Sequence, residues 1–225
     1  MRRFQNRREA GELLALELAH HADEKGCVVL ALPRGGVPVA HEIARVLHLP
    51  LDVLVVRKLG VPGHQELAMG AIASGGIKLL NREILTALAL PQAAVAEVER
   101  RELLELERRE RSYRGNLPPL DVQGKSVILV DDGIATGSTI RAAISSLRQR
   151  GARYIVVAAP VAPDSVVEEL RKLADEVVCV LRPREFGGVG WWYDDFSQTS
   201  DEEVHRLLEV NGKASVPPIT SPHYP

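Results

Sequence analysis

Val127-Ile128-Leu129-Val130-Asp131-Asp132-Gly133-Ile134-Ala135-Thr136-Gly137-Ser138-Thr139 is the stretch on which the fold turns. Four apolar residues, Val127 to Val130, read as a buried strand. They run into two carboxylates, Asp131 and Asp132, and then into a loop of small and hydroxyl residues. A helix pattern begins at the loop's end. A helix N-terminus presents unpaired N–H groups and a partial positive charge. Small residues let the backbone close around a phosphate, and hydroxyls add donors. The adjacent acids suit hydroxyl groups beside that phosphate, or a metal. Phosphate on one side and a diol on the other describe a ribose 5-phosphate. A plain strand-to-helix turn with Asp and Thr as caps accounts for each residue singly. It does not account for the pair of acids, which cost free energy at a buried strand end unless something pairs with them.

Outward from this stretch the chain alternates apolar runs with helical patterns. Before it, Asn6 and Glu9 form a capping-box pattern opening a helix to about Asp23. Cys27–Leu32 reads as a strand, followed after Pro33-Arg34-Gly35-Gly36 by a helix to Leu47. Leu51–Arg57 is expected as one strand, and Lys58–Glu66, with Gly60, Pro62 and Gly63, as a loop. Leu67–Ala73 and Ile77–Leu80 pair around Ser74-Gly75-Gly76. Asn81 caps a short helix, and Pro91 opens a long charged one to about Tyr113. Its Glu97–Arg101, Glu105–Arg109 and Glu107–Arg111 spacings support an exposed, solvated face. After the stretch come a helix over Ser138–Arg150, a strand over Tyr154–Ala159, a helix from Pro163 or Asp164, and a strand over Glu176–Leu181. A last helix, capped by Asp201, runs to about Asn211.

Strands separated by helices predict an α/β fold, a parallel twisted sheet with helices on both faces. The expected organisation is one domain over 1–211, with a helical elaboration at about 81–114 and a small C-terminal hood at about 182–200. The tail over 212–225 holds four prolines and reads as loose. In such sheets ligands bind past the carboxyl ends of the strands, which directs attention to the loops after Leu32, Arg57, Val130 and Ala159.

The chain of 225 residues carries 28 Lys+Arg against 30 Asp+Glu, a formal charge of −2 that argues against non-specific nucleic-acid binding. No apolar run approaches the roughly 18 residues of a membrane span. The N-terminus reads as no secretory leader, so a cytoplasmic location is expected. Cys27 and Cys179 each lie in an apolar run and read as buried small hydrophobes. His20 and His21 are expected on the surface of the first helix. Gly124-Lys125-Ser126 fails as a P-loop, because Pro119 stands where that motif needs glycine and the triplet precedes a strand. Gly188-Val189-Gly190 fails as a dinucleotide fingerprint, because Trp191 and Trp192 follow it.

The Val127–Thr139 string resembles the phosphoribosyl pyrophosphate signature of type I phosphoribosyltransferases, and the whole chain looks most like an uncharacterised bacterial group of them. The resemblance implies that Asp131 and Asp132 take the ribose hydroxyls and that Ala135, Thr136, Gly137, Ser138 and Thr139 form the phosphate loop. Gly133 is a departure, since many members carry an aliphatic residue there. Arg34-Gly35-Gly36 stands where the family's pyrophosphate loop stands. Its glycines admit backbone N–H groups to an anion, and Arg34 can pair with one bidentately. A mobile loop in the family brings a catalytic lysine in some members, which makes Lys58 and His64 candidates. Five of nine aromatics fall between Phe186 and Phe196. Related purine enzymes stack an aromatic of the hood on the base, so Phe186, Trp191, Trp192 and Tyr193 are candidates, most of them expected to pack the hood.

The implied activity is transfer of ribose 5-phosphate from phosphoribosyl pyrophosphate to a nitrogenous base, with release of pyrophosphate. Catalytic roles fall to Lys58, Arg34, Asp131 and Asp132, with Mg²⁺ arriving on the substrate and no metal site of the protein's own. Enzymes for 6-oxopurines usually carry a carboxylate where Ala135 stands, so adenine-type or orotate-type acceptors fit better. The competing expectation is a non-catalytic regulator that binds the same ligand. The partners expected are small molecules, neither nucleic acid nor membrane, with a homodimer left open.

Overall fold

The structure, a computed structural model, describes residues 3–115 and 118–214. In chain order its elements begin with α1 (Arg7–Glu17), β1 (Cys27–Ala31), α2 (Gly36–Leu47), β2 (Leu51–Val53), β3 (Val56–Val61), β4 (His64–Ala73), β5 (Ile77–Leu80), α3 (Arg82–Ala87) and α4 (Gln92–Arg114). They continue with β6 (Ser126–Val130), α5 (Ser138–Gln149), β7 (Tyr154–Val161), α6 (Asp164–Leu170), β8 (Glu176–Leu181) and α7 (Asp201–Ala214). Short 3₁₀ turns occupy Ala19–His21 and Val189–Trp192.

Five strands pair in parallel in the order β2-β1-β6-β7-β8. Their residues alternate between two cores. Val29, Ala31, Ile128, Val130, Val156 and Ala158 meet α1 and α2 through Leu14, Val37 and Ile43. Val28, Leu30, Val127, Leu129, Ile155 and Val157 meet α5 and α6 through Ile140, Ile144, Leu147 and Leu170. Both faces are therefore covered, and this is why the strands read as unbroken apolar runs rather than alternating ones. The expected α/β class, a parallel sheet with helices on both faces, is what the chain forms.

β3, β4 and β5 make a separate antiparallel sheet, and here two expectations fail. Leu51–Arg57 is not one strand. Its pairing with β1 ends at Leu54, whose N–H donates to the Ala31 carbonyl. The Val55 N–H then donates to Ser74 Oγ at 2.9 Å, and the chain enters the second sheet at Val56. An unbroken apolar run carries no mark of a change of sheet. Lys58–Glu66 is not a loop either: it spans β3, the Pro62-Gly63 turn and the start of β4, with Lys58 opposite Ala71. Register shifts on either side of Gly60 break the period-two pattern, which hid the strand. The expected pairing of Leu67–Ala73 with Ile77–Leu80 is present.

The helix ends need smaller corrections. Asn6 accepts from the Glu9 N–H as expected, but Glu9 reaches back to the Gln5 N–H, one residue before the cap. α1 stops at Glu17, well short of Asp23. Ser200, not Asp201, caps α7, its Oγ accepting from the Glu203 N–H. α7 runs on to Ala214, and the rest of the expected tail lies outside the described residues. Asn81 caps α3 as expected.

Along α4, Arg109 meets Glu105 at 2.8 Å, but Glu97 pairs with Arg100 and Arg101 with Glu102. Arg108 and Arg109 together hold Glu105 down to about 2. The helix is not merely a solvated face. Val95, Val98, Leu106 and Tyr113 are buried in the core that also holds Leu59 and Met69 of the second sheet. Glu102 receives Arg57 of β3 through two hydrogen bonds, and the buried Arg114 reaches Asp52 at 2.7 Å. Cys27 is buried and Cys179 half-buried; both are free thiols, and burial pushes them up to about 12 and about 11.

Candidate functional site

The order in which strands are added reverses between the neighbours β1 and β6. The chain leaves β1 toward β2 and leaves β6 toward β7, so the two connections part on opposite faces and open a crevice at the carboxyl ends. Register brings those ends level: Ala31 pairs with Val130, and the Leu32 N–H donates to the Val130 carbonyl at 2.8 Å. Pro33-Arg34-Gly35-Gly36 therefore lies against Asp131-Asp132. A Cβ built on Gly35 would sit 2.0 Å from Asp132 Oδ2, and one on Gly36 would sit 2.7 Å from the Val130 carbonyl oxygen. Glycine at both positions is what lets the two loops touch. Two motifs nearly a hundred residues apart thus form one site.

The acids are held in tension. The Asp132 N–H donates to Asp131 Oδ1 at 2.9 Å, and Arg7 Nε donates to Asp132 Oδ2 at 2.8 Å. Burial, then the charge of Asp132, raises Asp131 well above the usual carboxylate range. Burial also raises Asp132, while Arg7 pulls the other way. The pair thus resists carrying two negative charges without a cation or a set of donors opposite it.

Arg7 was missed by the sequence reading. It stands at the start of α1, its side chain 12% exposed, donates to the Ser197 carbonyl at 2.7 Å and lies 4.0 Å from the Phe196 ring centre. Nothing in its spacing marks it. The available signal was the adjacent acid pair, which demands a cation somewhere in the chain.

The stretch after Asp132 forms a turn that leads into α5. Gly137 takes φ +74, and no side chain caps the N-terminus of α5 that follows it, so the first-turn N–H groups have no side-chain acceptor there. Ala135, Thr136, Ser138 and Thr139 are exposed. Arg141 braces the turn by donating to the Thr136 carbonyl at 2.6 Å and pairing with Glu169. Gly133 has a physical reason: a Cβ there would lie 2.4 Å from Val189 Cγ1, so the hood occupies the space an aliphatic side chain would need.

The hood does close on this site, with help from the N-terminus. Phe4 pairs with Tyr193, and the N–H groups of Asp194 and Asp195 donate to the carbonyls of Phe4 and Gln5. The Tyr193 hydroxyl donates to the Asp132 carbonyl at 2.6 Å, and burial raises its pKa so that it stays protonated. Trp192 is buried with Nε1 on the Phe186 carbonyl. Tyr193 and Trp192 are thus packing residues, and Phe186 is a half-buried part of the same cluster. Trp191 is 72% exposed.

Arg34 is half-exposed at the rim, 3.7 Å from Asp201 at the start of α7. Lys58 is exposed on β3 of the second sheet, and His64 is exposed where β4 begins. These two belong to a paired hairpin, not to a free loop.

This site and fold define a phosphoribosyl transferase domain. The family model described in those words matches residues 5–194, and the chain belongs to that family. A Mycobacterium tuberculosis protein whose name assigns it provisionally to the phosphoribosyl transferases is 47% identical over 209 residues, which is 93% of this chain and 47% of that protein. The chain therefore spans about half the length of the curated relatives it matches. The crystal structure of TT1426 from Thermus thermophilus superposes with a TM-score of 0.81 at 44% identity, covering 92% of this chain and 98% of that one. The bifunctional protein PyrR of Corynebacterium diphtheriae is 29% identical over 123 residues, covering 52% of this chain and 63% of its own length. No described helix is long and apolar enough to cross a membrane.

Proposed function

We propose that this chain moves the ribose 5-phosphate group from phosphoribosyl pyrophosphate to a nitrogenous base and releases pyrophosphate. The observation that carries the reading is the contact of Gly35 and Gly36 with the Asp131-Asp132 turn at the point where the strand order reverses. It sets an anion-admitting loop beside a diol-binding pair, with an uncapped helix N-terminus on the other side.

In this reading the first-turn N–H groups of α5, with the hydroxyls of Thr136, Ser138 and Thr139, hold the 5-phosphate. Asp131 and Asp132 accept from the two ribose hydroxyls and fix the sugar as its anomeric carbon gains positive charge. The backbone of Gly35-Gly36 and the Arg34 guanidinium stabilise the pyrophosphate as it leaves. The C–O bond to pyrophosphate breaks, and a base nitrogen forms the new bond to the same carbon. Arg7 offsets part of the burial that disfavours the ionised form of Asp132. The donor set around the acids is hard oxygen, which fits Mg²⁺ held by Asp131 and Asp132 together with substrate oxygens. Arriving with the substrate, Mg²⁺ would supply positive charge for the leaving phosphates. Exposed Trp191 is the hood aromatic available to stack on a base. Ala135, at the mouth of the phosphate loop, supplies no carboxylate for a 6-oxopurine, which favours other acceptors.

The test is a titration with phosphoribosyl pyrophosphate and Mg²⁺, read by calorimetry. The Asp131→Asn, Asp132→Asn double variant should keep its fold and lose at least about a hundredfold in affinity, since two charge-assisted contacts are removed. Unchanged affinity in a folded double variant removes the assignment.

A further inference from the structure

Far from the crevice, at the amino-terminal ends of the strands, His20, His21 and Glu176 bring their donor atoms together. His20 Nε2 lies 3.1 Å from Glu176 Oε1, and His21 Nε2 lies 3.2 Å from Glu176 Oε2. One ligand atom from each of the three falls within 4.8 Å of the others. Contrary to the surface placement expected of both histidines, His21 is 6% exposed, while His20 is open to solvent.

His21 is also held from its other ring nitrogen. His21 Nδ1 is 2.7 Å from Glu24 Oε2, and Glu24 also accepts from Ser126 Oγ at 2.7 Å. A carboxylate this close to one ring nitrogen orients the imidazole and favours the tautomer with the hydrogen on Nδ1. In a neutral imidazole the other nitrogen, Nε2, then bears a bare lone pair. That lone pair faces the Glu176 carboxylate, acceptor against acceptor. Tyr154 supplies one distant hydroxyl, 3.5 Å from Glu176, and Arg153 lies 3.7 Å from Glu24. A metal ion placed between the imidazole and the carboxylate would satisfy both. A carboxylate on one imidazole nitrogen and an open lone pair on the other is how metal-binding histidines are oriented. The two imidazoles approach different oxygens of the one carboxylate, at 3.1 and 3.2 Å, so a small ion could be drawn in between the three side chains.

We propose that His20 Nε2, His21 Nε2 and the Glu176 carboxylate form a binding site for a zinc-class divalent transition metal, with Glu24 orienting His21 and water completing the shell on the exposed side. The ion ties the turn after α1 to the first residue of β8. This site is independent of the proposed transferase reaction and lies at the opposite end of the sheet from it.

The test uses the full chain, free of any histidine tag, with Zn²⁺ as the probe. Competition against a chromophoric chelator should show one tight equivalent, and a hundredfold excess of Zn²⁺ over its Kd should raise the Tm by about 5–10 °C. The equivalent should persist in the Asp131→Asn, Asp132→Asn variant. It should weaken at least about tenfold in His20→Ala, whose exposed side chain is not needed for folding, and in Glu176→Gln. No Zn²⁺-dependent rise in Tm, or an affinity indifferent to His20→Ala, overturns the proposal and leaves a hydrogen-bonded cluster. Loss of the equivalent in the double aspartate variant places the ion in the crevice and also overturns it.

Discussion

Asp131 and Asp132 titrate higher in the folded chain than in an unfolded one. The folded state therefore holds their protons more tightly, and the stability this brings is complete only below the unfolded value of about 3.9. It is lost as pH rises through the raised folded values. At neutral pH the ionised pair is thus a cost, and Asp131→Asn should raise the Tm at about pH 7.5 by about 2–4 °C for each kcal/mol relieved. The gain should vanish near about pH 4. Thermal melts of both proteins across that range are the check, and a lower Tm for the variant at the alkaline end would contradict the tension described. Gly35→Ala probes the same contact from the other side. Its methyl group would arrive 2.0 Å from Asp132 Oδ2. A loss of about 1–3 kcal/mol in urea unfolding is expected, together with loss of phosphoribosyl pyrophosphate binding. At this scale the adjacency of the acids, the paired glycines and the small-residue turn before α5 was legible, because those residue types follow the apolar runs of two strands directly. Arg7 was not, because its partner lies 125 residues away.

At the scale of elements, the parallel strands and their helices were legible because a strand buried on both faces leaves an unbroken apolar run. The second sheet was half legible. β4 and β5 announce themselves around Ser74-Gly75-Gly76, but β3 is masked by the register shifts at Gly60 and by the lack of a break at Leu54-Val55. This changes the expectation for Lys58. Lys58 lies on a strand paired with Ala71 and backed by α4 through Arg57 and Glu102, so in the proposed reaction it would have to act together with its hairpin. Lys58→Ala should lower kcat about tenfold or more with little change in the Kd for phosphoribosyl pyrophosphate, if the hairpin engages only as the bond breaks. A change confined to KM would make it a contact residue. Single-turnover rates beside equilibrium titration separate the two.

The whole molecule closes its site with chain from both ends. Phe4 and Gln5 pair with the hood at Tyr193–Asp195, Arg7 reaches Asp132, and Tyr193 donates to the backbone of the acid turn. Periodicity does not reveal such closure, since a lone bridge of irregular chain has no pattern to read. The central claim is turnover, and one assay tests it most directly: pyrophosphate release from phosphoribosyl pyrophosphate and Mg²⁺ with a panel of purine and pyrimidine bases, the product mass read in parallel. Release with one base, the matching nucleotide mass, and loss of both in the Asp131→Asn, Asp132→Asn variant are the result expected. Tight binding of phosphoribosyl pyrophosphate with no release from any base would contradict the transferase and leave a regulator that reads the same ligand.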